Sequence, residues 1–364
     1  MRYALIMAGG SGTRLWPMSR AGLPKQLIPF LGGKSLLEAA AERLRGLLPP
    51  GRIFVGAAEK HRAAILRALP DLDESRFLGE PVGRDTLNAI GLASAVIARR
   101  DPDAVVAIFA ADHVIGPTGT FHQIVNRGFE MAEAHPETLV TFGITPDVAS
   151  TGYGYLELGE PLEGGAFRVR QFREKPDAAT AQGFFEAGPE RYLWNSGMFV
   201  WHAKTLLDCI ARYEHVSYAG LSEIAAAWDT PDQSCVLGRI FPALPKISID
   251  FAVMEPASRD PLVRVAAIPM KLNWLDIGSW PMFARTCPPD EKGNRVAGGR
   301  SLLLDTTRTL VASSEPRHLI TTIGCEDLIV IHTPDATLVC RAGKAEAIKE
   351  LHKRVGEQFG EELL

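Results

Sequence analysis

The sequence predicts an α/β fold with a mixed, mainly parallel sheet, followed by a small C-terminal β unit and a closing helix. Three observations carry this reading. Short apolar runs at residues 3–8, 53–55, 77–78, 104–111 and 139–142 alternate with helix-compatible segments at 61–69, 87–100 and 121–135, the signature of βαβ units. The run 104–111 is apolar throughout, as a strand covered on both faces must be. At Cys287-Pro288-Pro289-Asp290-Glu291-Lys292-Gly293 the pattern breaks, and short β-type strings follow at 301–304, 318–322 and 328–332. A chain of 364 residues exceeds what one core usually supports, so units at 1–287 and 288–364 are expected.

Between these landmarks, strand pieces at 153–158, 167–172 and 198–201 and helices at 178–187 and 204–213 complete the larger unit. The closing helix, 343–359, carries Ile348, Leu351, Val355 and Phe359 at helical spacing, a stripe expected to dock on its own domain. With 46% hydrophobic residues, 23% charged and a net charge of −4, no basic run points to nucleic acid or a membrane surface. Any phosphate must then be held by local cations. The first apolar run is too short for a leader peptide, and no run reaches the roughly 18 residues of a membrane helix, so a cytoplasmic protein is expected. Five scattered cysteines without C-x-x-C spacing support neither a disulfide framework nor a zinc site.

The chemistry concentrates after the first run. Met7-Ala8-Gly9-Gly10-Ser11-Gly12-Thr13-Arg14-Leu15-Trp16-Pro17, with Leu23-Pro24-Lys25-Gln26 behind it, sets a glycine-rich loop and two cations after an apolar strand. Glycines admit positive φ and close approach, so backbone N–H groups can converge on phosphate oxygens. Arg14 stands where a Walker A loop needs lysine, and the third glycine of a dinucleotide fingerprint is missing. Taken alone, the glycine element also describes a tight strand-to-loop turn.

Asp112 follows the continuous apolar run, and Asp276 sits in Trp274-Leu275-Asp276-Ile277-Gly278. Two aspartates from separate loops suit a hard divalent cation such as Mg²⁺; each could equally cap a turn. In open α/β sheets ligands gather at the carboxyl ends of strands, the edge expected to carry both the glycine loop and Asp112. Phe172-Arg173-Glu174-Lys175-Pro176 reads as an exposed ion pair or as a carboxylate for hydroxyls beside an ammonium for phosphate. Thr151-Gly152-Tyr153-Gly154-Tyr155 reads as a hairpin entry, Asn195 in Trp194-Asn195-Ser196-Gly197-Met198 offers an amide to hydroxyls, and Asp250 can cap the helix after it. Glu80, before Pro81, offers an acceptor to the N–H groups of a base.

Together and in this order, these motifs resemble those of the sugar-1-phosphate nucleotidyltransferases, and within them the mannose-1-phosphate guanylyltransferases. The resemblance implies a Rossmann-like catalytic domain and a small β-helical C-terminal portion that can make homodimer contacts. It implies transfer of GMP from GTP to mannose 1-phosphate with Mg²⁺. Ala8, Gly9, Gly10, Gly12, Thr13, Arg14, Lys25, Glu80, Thr86 and Asn88 would then meet the nucleotide, and Asp112 and Asp276 the metal. Gly152, Glu174, Lys175, Asn195 and Asp250 would meet the sugar phosphate. Arg14, Lys25 and Lys175 would carry the charge compensation of the reaction, with His113 structural. The chain departs from the family at Asp85-Thr86-Leu87-Asn88-Ala89, where relatives read close to Asn-Thr-Ala-Pro-Ala. The same chemistry with glucose 1-phosphate and UTP, ATP or dTTP, or a non-catalytic regulatory homologue, are the alternatives. Long relatives carry a further isomerase domain, for which this chain has no room, so no isomerase activity is expected.

Overall fold

The apolar runs become strands whose pairing sets the edges where loops meet. In the computed structural model, which describes residues 1–10, 12–30 and 33–364, β1 (Arg2–Met7) lies between β2 (Ile53–Ala58) and β4 (Val105–Ala110), both parallel to it. β3 (Phe77–Glu80) extends the parallel set beyond β2. Met7 is in register with Ala110, so the glycine loop and Asp112 leave adjacent strands at the same end.

After the short β5 (His113–Gly116), the sheet continues with β6 (Thr138–Ile144), β7 (Tyr155–Pro161), β8 (Phe167–Arg173), β9 (Tyr192–His202) and β10 (Arg264–Pro269), and the short β11 (Asn273–Asp276) follows outside it. The nine-strand order is β3-β2-β1-β4-β9-β6-β10-β8-β7. β9 runs antiparallel between β4 and β6, and its pairing with β6 shifts register between Thr141 and Gly143, a bulge that re-aims nearby side chains. β9 is far longer than the expected strand at 198–201.

The helices in chain order are α1 (Leu36–Leu44), α2 (Arg62–Ala68), α3 (Asp85–Arg100), α4 (Thr118–Ala134), α5 (Ala178–Glu186), α6 (Ala203–Tyr213), α7 (His215–Ala227) and α8 (Gln233–Ile240). Neither α7 nor α8 was expected from the sequence. α3 is buried from Leu87 to Ile97 because α6 and α7 cover the face it turns away from the sheet; Leu92, Ile210 and Leu221 share one core with Leu5, Ile108 and Trp201.

By packing, the chain divides into one unit of residues 1–9, 40–111 and 115–274 and a second of residues 10–39, 112–114 and 275–364. The glycine-loop segment and Asp112 belong with the C-terminal region.

In the second unit, short strands stack as successive coils. β12 (Arg295–Ala297), β14 (Leu310–Ser313) and β16 (Leu328–His332) form one parallel ladder, and β13 (Arg300–Leu304) and β15 (Leu319–Ile323) another. β17 (Thr337–Arg341) closes antiparallel on β16. Alternate residues point inward, so Leu310, Ala312, Ile329 and Ile331 pack with Leu15, Trp16, Trp280 and Phe283. The last helix runs from Ile348 to Phe359 after a 3-10 stretch at Ala342–Ala347. Ile348 and Val355 join this core, whereas Leu351 and Phe359 stay 40% and 59% exposed. The tail beyond it returns to the glycine-loop segment: Leu363 O accepts from Trp16 Nε1 at 2.8 Å and from Arg20 Nη1 at 2.7 Å, and Leu364 O accepts from Ala21 N at 2.8 Å. Among the described residues no helix is long and apolar enough to cross a membrane.

Trp280 anchors the loop from below, fully buried and donating from Nε1 to Trp16 O at 3.0 Å. Trp280→Phe should lower stability by about 2 kcal/mol, from the lost bond and the space left by the indole. Thermal unfolding followed by circular dichroism measures this, and an unchanged midpoint would contradict it.

Candidate active site

The sequence of the second unit brings charged groups to one place. Gly10 and Gly12 have φ of 97° and 64°, a region side chains avoid. A Cβ at Gly12 would lie 2.8 Å from Lys25 Cβ, so glycine here lets the lysine stem pass against the loop. Ser19 Oγ donates to Gly12 O at 2.7 Å and Leu15 N donates to the same oxygen at 2.8 Å, closing the turn at Thr13–Leu15. Ala8 is buried and its amide donates to Gly56 O, extending the strand. Ser11 lies outside the described residues.

Lys25 Nζ is ion-paired with Asp112 Oδ2, both mostly buried. Burial alone would lower the Lys25 pKa, but the Asp112 and Asp276 carboxylates outweigh it and hold it above its ordinary value. Burial likewise pushes Asp112 up, and the Lys25 and His113 charges overcome that, leaving its carboxyl below the usual range. Ile277 N donates to Asp112 O at 3.0 Å, tying the two aspartate segments together. Ligand atoms of Asp112, His113 and Asp276 lie within 4.8 Å of one another, a group that could hold a metal ion. Two carboxylates are the donors a hard divalent cation takes, and the ammonium resting on Asp112 shows that this position calls for positive charge. His113, expected to be structural, is buried within the same group. A Cβ at Gly278 would lie 3.7 Å from both Asp276 carboxylate oxygens and 4.0 Å from Arg14 Nη1, so the guanidinium reaches the same cluster. Arg14 also meets Glu346 at 3.1 Å, both exposed.

The first unit holds the remaining residues. Glu80 ends β3, 7% exposed, and burial, with Asp85 adding to it, pushes its pKa up to about 7. Asp85 opens α3 at φ 64° and accepts from Thr86 N at 2.8 Å, a conformation that asparagine and aspartate tolerate best. Thr86 Oγ1 accepts from Ile249 N at 2.9 Å, Leu87 N donates to Ile247 O at 3.2 Å, and the fully buried Asn88 donates to Pro245 O at 2.6 Å. Thr86 and Asn88 thus brace the loop after Glu80 against residues 245–249.

That braced segment leads into Asp250, which opens a π-helical turn without capping it. Its Oδ1 accepts instead from Asn195 Nδ2 at 2.9 Å. Asn195 N in turn donates to Gly154 O at 2.7 Å, and a Cβ at Gly154 would lie 2.5 Å from Glu174 Oε2. Gly154, not singled out in the sequence, is the glycine on which Glu174 rests. Gly152 is exposed, its amide donating to Ser150 Oγ at 3.1 Å. Lys175, at φ 41°, pairs with Glu174 Oε1 at 3.0 Å. Burial and the neighbouring Glu174 push Asp250 up to about 7 against the pull of Lys175. Burial also raises Glu174, while Lys175 is raised because Glu174 and Asp250 outweigh its own burial. Glu174 and Lys175 border a cavity of about 490 Å³ with Arg173, Phe251 and Glu255. Tyr153, also missed, packs 4.8 Å from Trp194 and 5.5 Å from Trp274, ring to ring.

Comparisons with known proteins show the family of the chain. The family model described as nucleotidyl transferase matches residues 3–292, and a second, described as a MannoseP isomerase/GMP-like beta-helix domain, matches residues 299–355. The mannose-1-phosphate guanylyltransferase of Escherichia coli K12 is 36% identical over 97% of this chain and 73% of its own, and that of Klebsiella pneumoniae 35% over 96% and 73%. A crystal structure from Thermus thermophilus, described as a mannose-1-phosphate geranyltransferase, superimposes with a TM-score of 0.86 at 33% identity, covering 97% of this chain and 99% of that one. With the family models and these relatives in agreement, the chain belongs to the nucleotidyl transferase family, among the mannose-1-phosphate guanylyltransferases.

Proposed function

We propose that this chain transfers GMP from GTP to α-D-mannose 1-phosphate, releasing pyrophosphate and GDP-mannose. The observation that carries the reading is the Lys25–Asp112 pair with Asp276 and Arg14 beside it, at the end of a glycine loop. Here an oxygen of the sugar phosphate attacks the α-phosphorus of GTP in line, a new P–O bond forms, and the bond to the bridging oxygen of pyrophosphate breaks. The nucleophile is already anionic, so no general base is needed. Arg14 and the amides of Gly9, Gly10, Gly12 and Thr13 hold the departing pyrophosphate, and Lys25 neutralises the α-phosphate. Lys175 offsets the charge of the incoming phosphate, while Glu174, Asn195, Asp250 and the backbone at Gly152 orient the hexose. Glu80 accepts from guanine N–H groups, with Thr86 and Asn88 positioning its loop. A divalent cation such as Mg²⁺ on Asp112 and Asp276 would offset the charge developing around the α-phosphate. All five cysteines are free thiols, in keeping with the reducing cytoplasm as the place of the reaction.

Pyrophosphate release with Mg²⁺ and mannose 1-phosphate across GTP, ATP, UTP, CTP and dTTP tests the reading. Release with GTP alone, abolished by chelator, is expected, and preference for another nucleotide would overturn the role given to Glu80. Lys25→Ala and Asp112→Asn should each lower kcat about 100-fold or more; near-normal turnover would remove them from the mechanism.

Because Glu80 titrates near 7 rather than at its ordinary 4.5, the folded protein keeps a proton there that the unfolded chain has lost. The stability this contributes is present at low pH and lost as pH rises from about 4.5 to about 7. Glu80→Gln should therefore melt higher than the parent at pH 8. In the parent, kcat/KM for GTP should rise through about pH 7, and Glu80→Gln should flatten that rise. A rise that survives the substitution belongs to another group.

The outward face of β13 and β15 shows Leu302, Leu304, Leu319 and Ile323 at 55–73% exposure. We assign this apolar face to a homodimer contact. Light scattering should find about twice the 39.6 kDa chain mass, and Leu302→Glu with Ile323→Glu should halve it; a monomeric parent would refute the assignment.

A further inference from the structure

β6 reads Thr-Leu-Val-Thr-Phe-Gly-Ile, and its second threonine, Thr141, is fully buried at the bulge facing β9. A hydroxyl in so apolar a strand needs a partner. Thr141 Oγ1 lies 2.8 Å from Asn195 Oδ1 and 3.1 Å from Met198 O. Asn195 Nδ2 donates in turn to Asp250 Oδ1 at 2.9 Å. The side chains form one chain from strand to carboxylate, Thr141 to Asn195 to Asp250.

We propose that Thr141 is a positioning residue for hexose recognition, holding the Asn195 amide in the orientation that Asp250 sets and so fixing where its remaining N–H points. The inference rests on the proposed binding of a hexose phosphate by Asn195. An ionised carboxylate only accepts, so Nδ2 must face Asp250 and Oδ1 must find a donor inside the protein. Thr141 supplies that donor. Were Asp250 protonated, it could donate to Oδ1 of a turned amide, with Nδ2 then bonding Thr141 Oγ1 and the hydroxyl proton going to Met198 O. Glu174 and Lys175 are the charged groups acting on Asp250, with opposite effects on which state holds. A hydroxyl completes the chain either way, because it both donates and accepts, and valine, its isostere, does neither. Thr141 lies beyond the residues that touch substrate, so its effect should fall on hexose affinity and spare the nucleotide.

The test compares Thr141→Val and Thr141→Ser with the parent at pH 8, where Asp250 is ionised. Thr141→Val should raise KM for mannose 1-phosphate about 10-fold, the value of one buried hydrogen bond, with KM for GTP within about twofold. Thr141→Ser, which keeps the hydroxyl, should match the parent. Equal KM values for the hexose phosphate in parent and Val variant would overturn the proposal, as would a parallel rise in both KM values. In the unaltered protein, the Asn195 side-chain proton bonded to Asp250 should be protected from exchange by NMR, and its rapid exchange would also overturn the proposal. This readout holds even if Thr141→Val does not fold. If the parent turns over a different hexose phosphate, the mannose assignment fails, and the same KM comparison with that substrate still decides the role of Thr141.

Discussion

The ion pair between Lys25 and Asp112 is the interaction on which the cluster beside the glycine loop depends. Neither charge would be tolerated in so enclosed a place by itself, and each holds the other in its ionised form. The pair requires a glycine at position 12 for the lysine stem to pass, and a parallel β1 and β4 to deliver the two loops at one edge. Asp276 then adds a carboxylate and Arg14 a guanidinium, so the cluster carries mixed charge. Preorganised charge of this kind needs little rearrangement at the moment of reaction.

The first unit follows the opposite electrostatic rule. Glu80 and Asp250 are buried without enough compensating charge, and both titrate near neutrality. A carboxyl group poised near neutrality suits N–H and O–H partners, for which hydrogen-bond direction counts more than charge.

Much of this was legible in the sequence. The apolar run before the glycine loop, the continuous run ending at Ala111 and the breaks at proline and glycine located β1, β4 and the coil unit, because local periodicity and turn chemistry dictate them. Asp112, Asp276, Lys25, Glu174 and Asn195 were found through their place in motifs. What escaped depends on distant residues. The full span of β9 is fixed by pairing with β4, β6 and β7 rather than by its own pattern. α7, rich in alanine, has no sharp apolar stripe to announce it. Gly154 matters only because Glu174 folds onto it, and Thr141 only because the bulge turns it toward Asn195.

The bond from Trp16 to Leu363 joins positions 347 apart in sequence. Contacts of such separation form late, since the chain between them must first be ordered. During synthesis the glycine-loop segment leaves the ribosome long before its partners Trp280, Leu363 and Leu364. A segment made early is therefore among the last to reach its final support, and no nascent chain short of residue 363 can hold the glycine-loop segment through this bond.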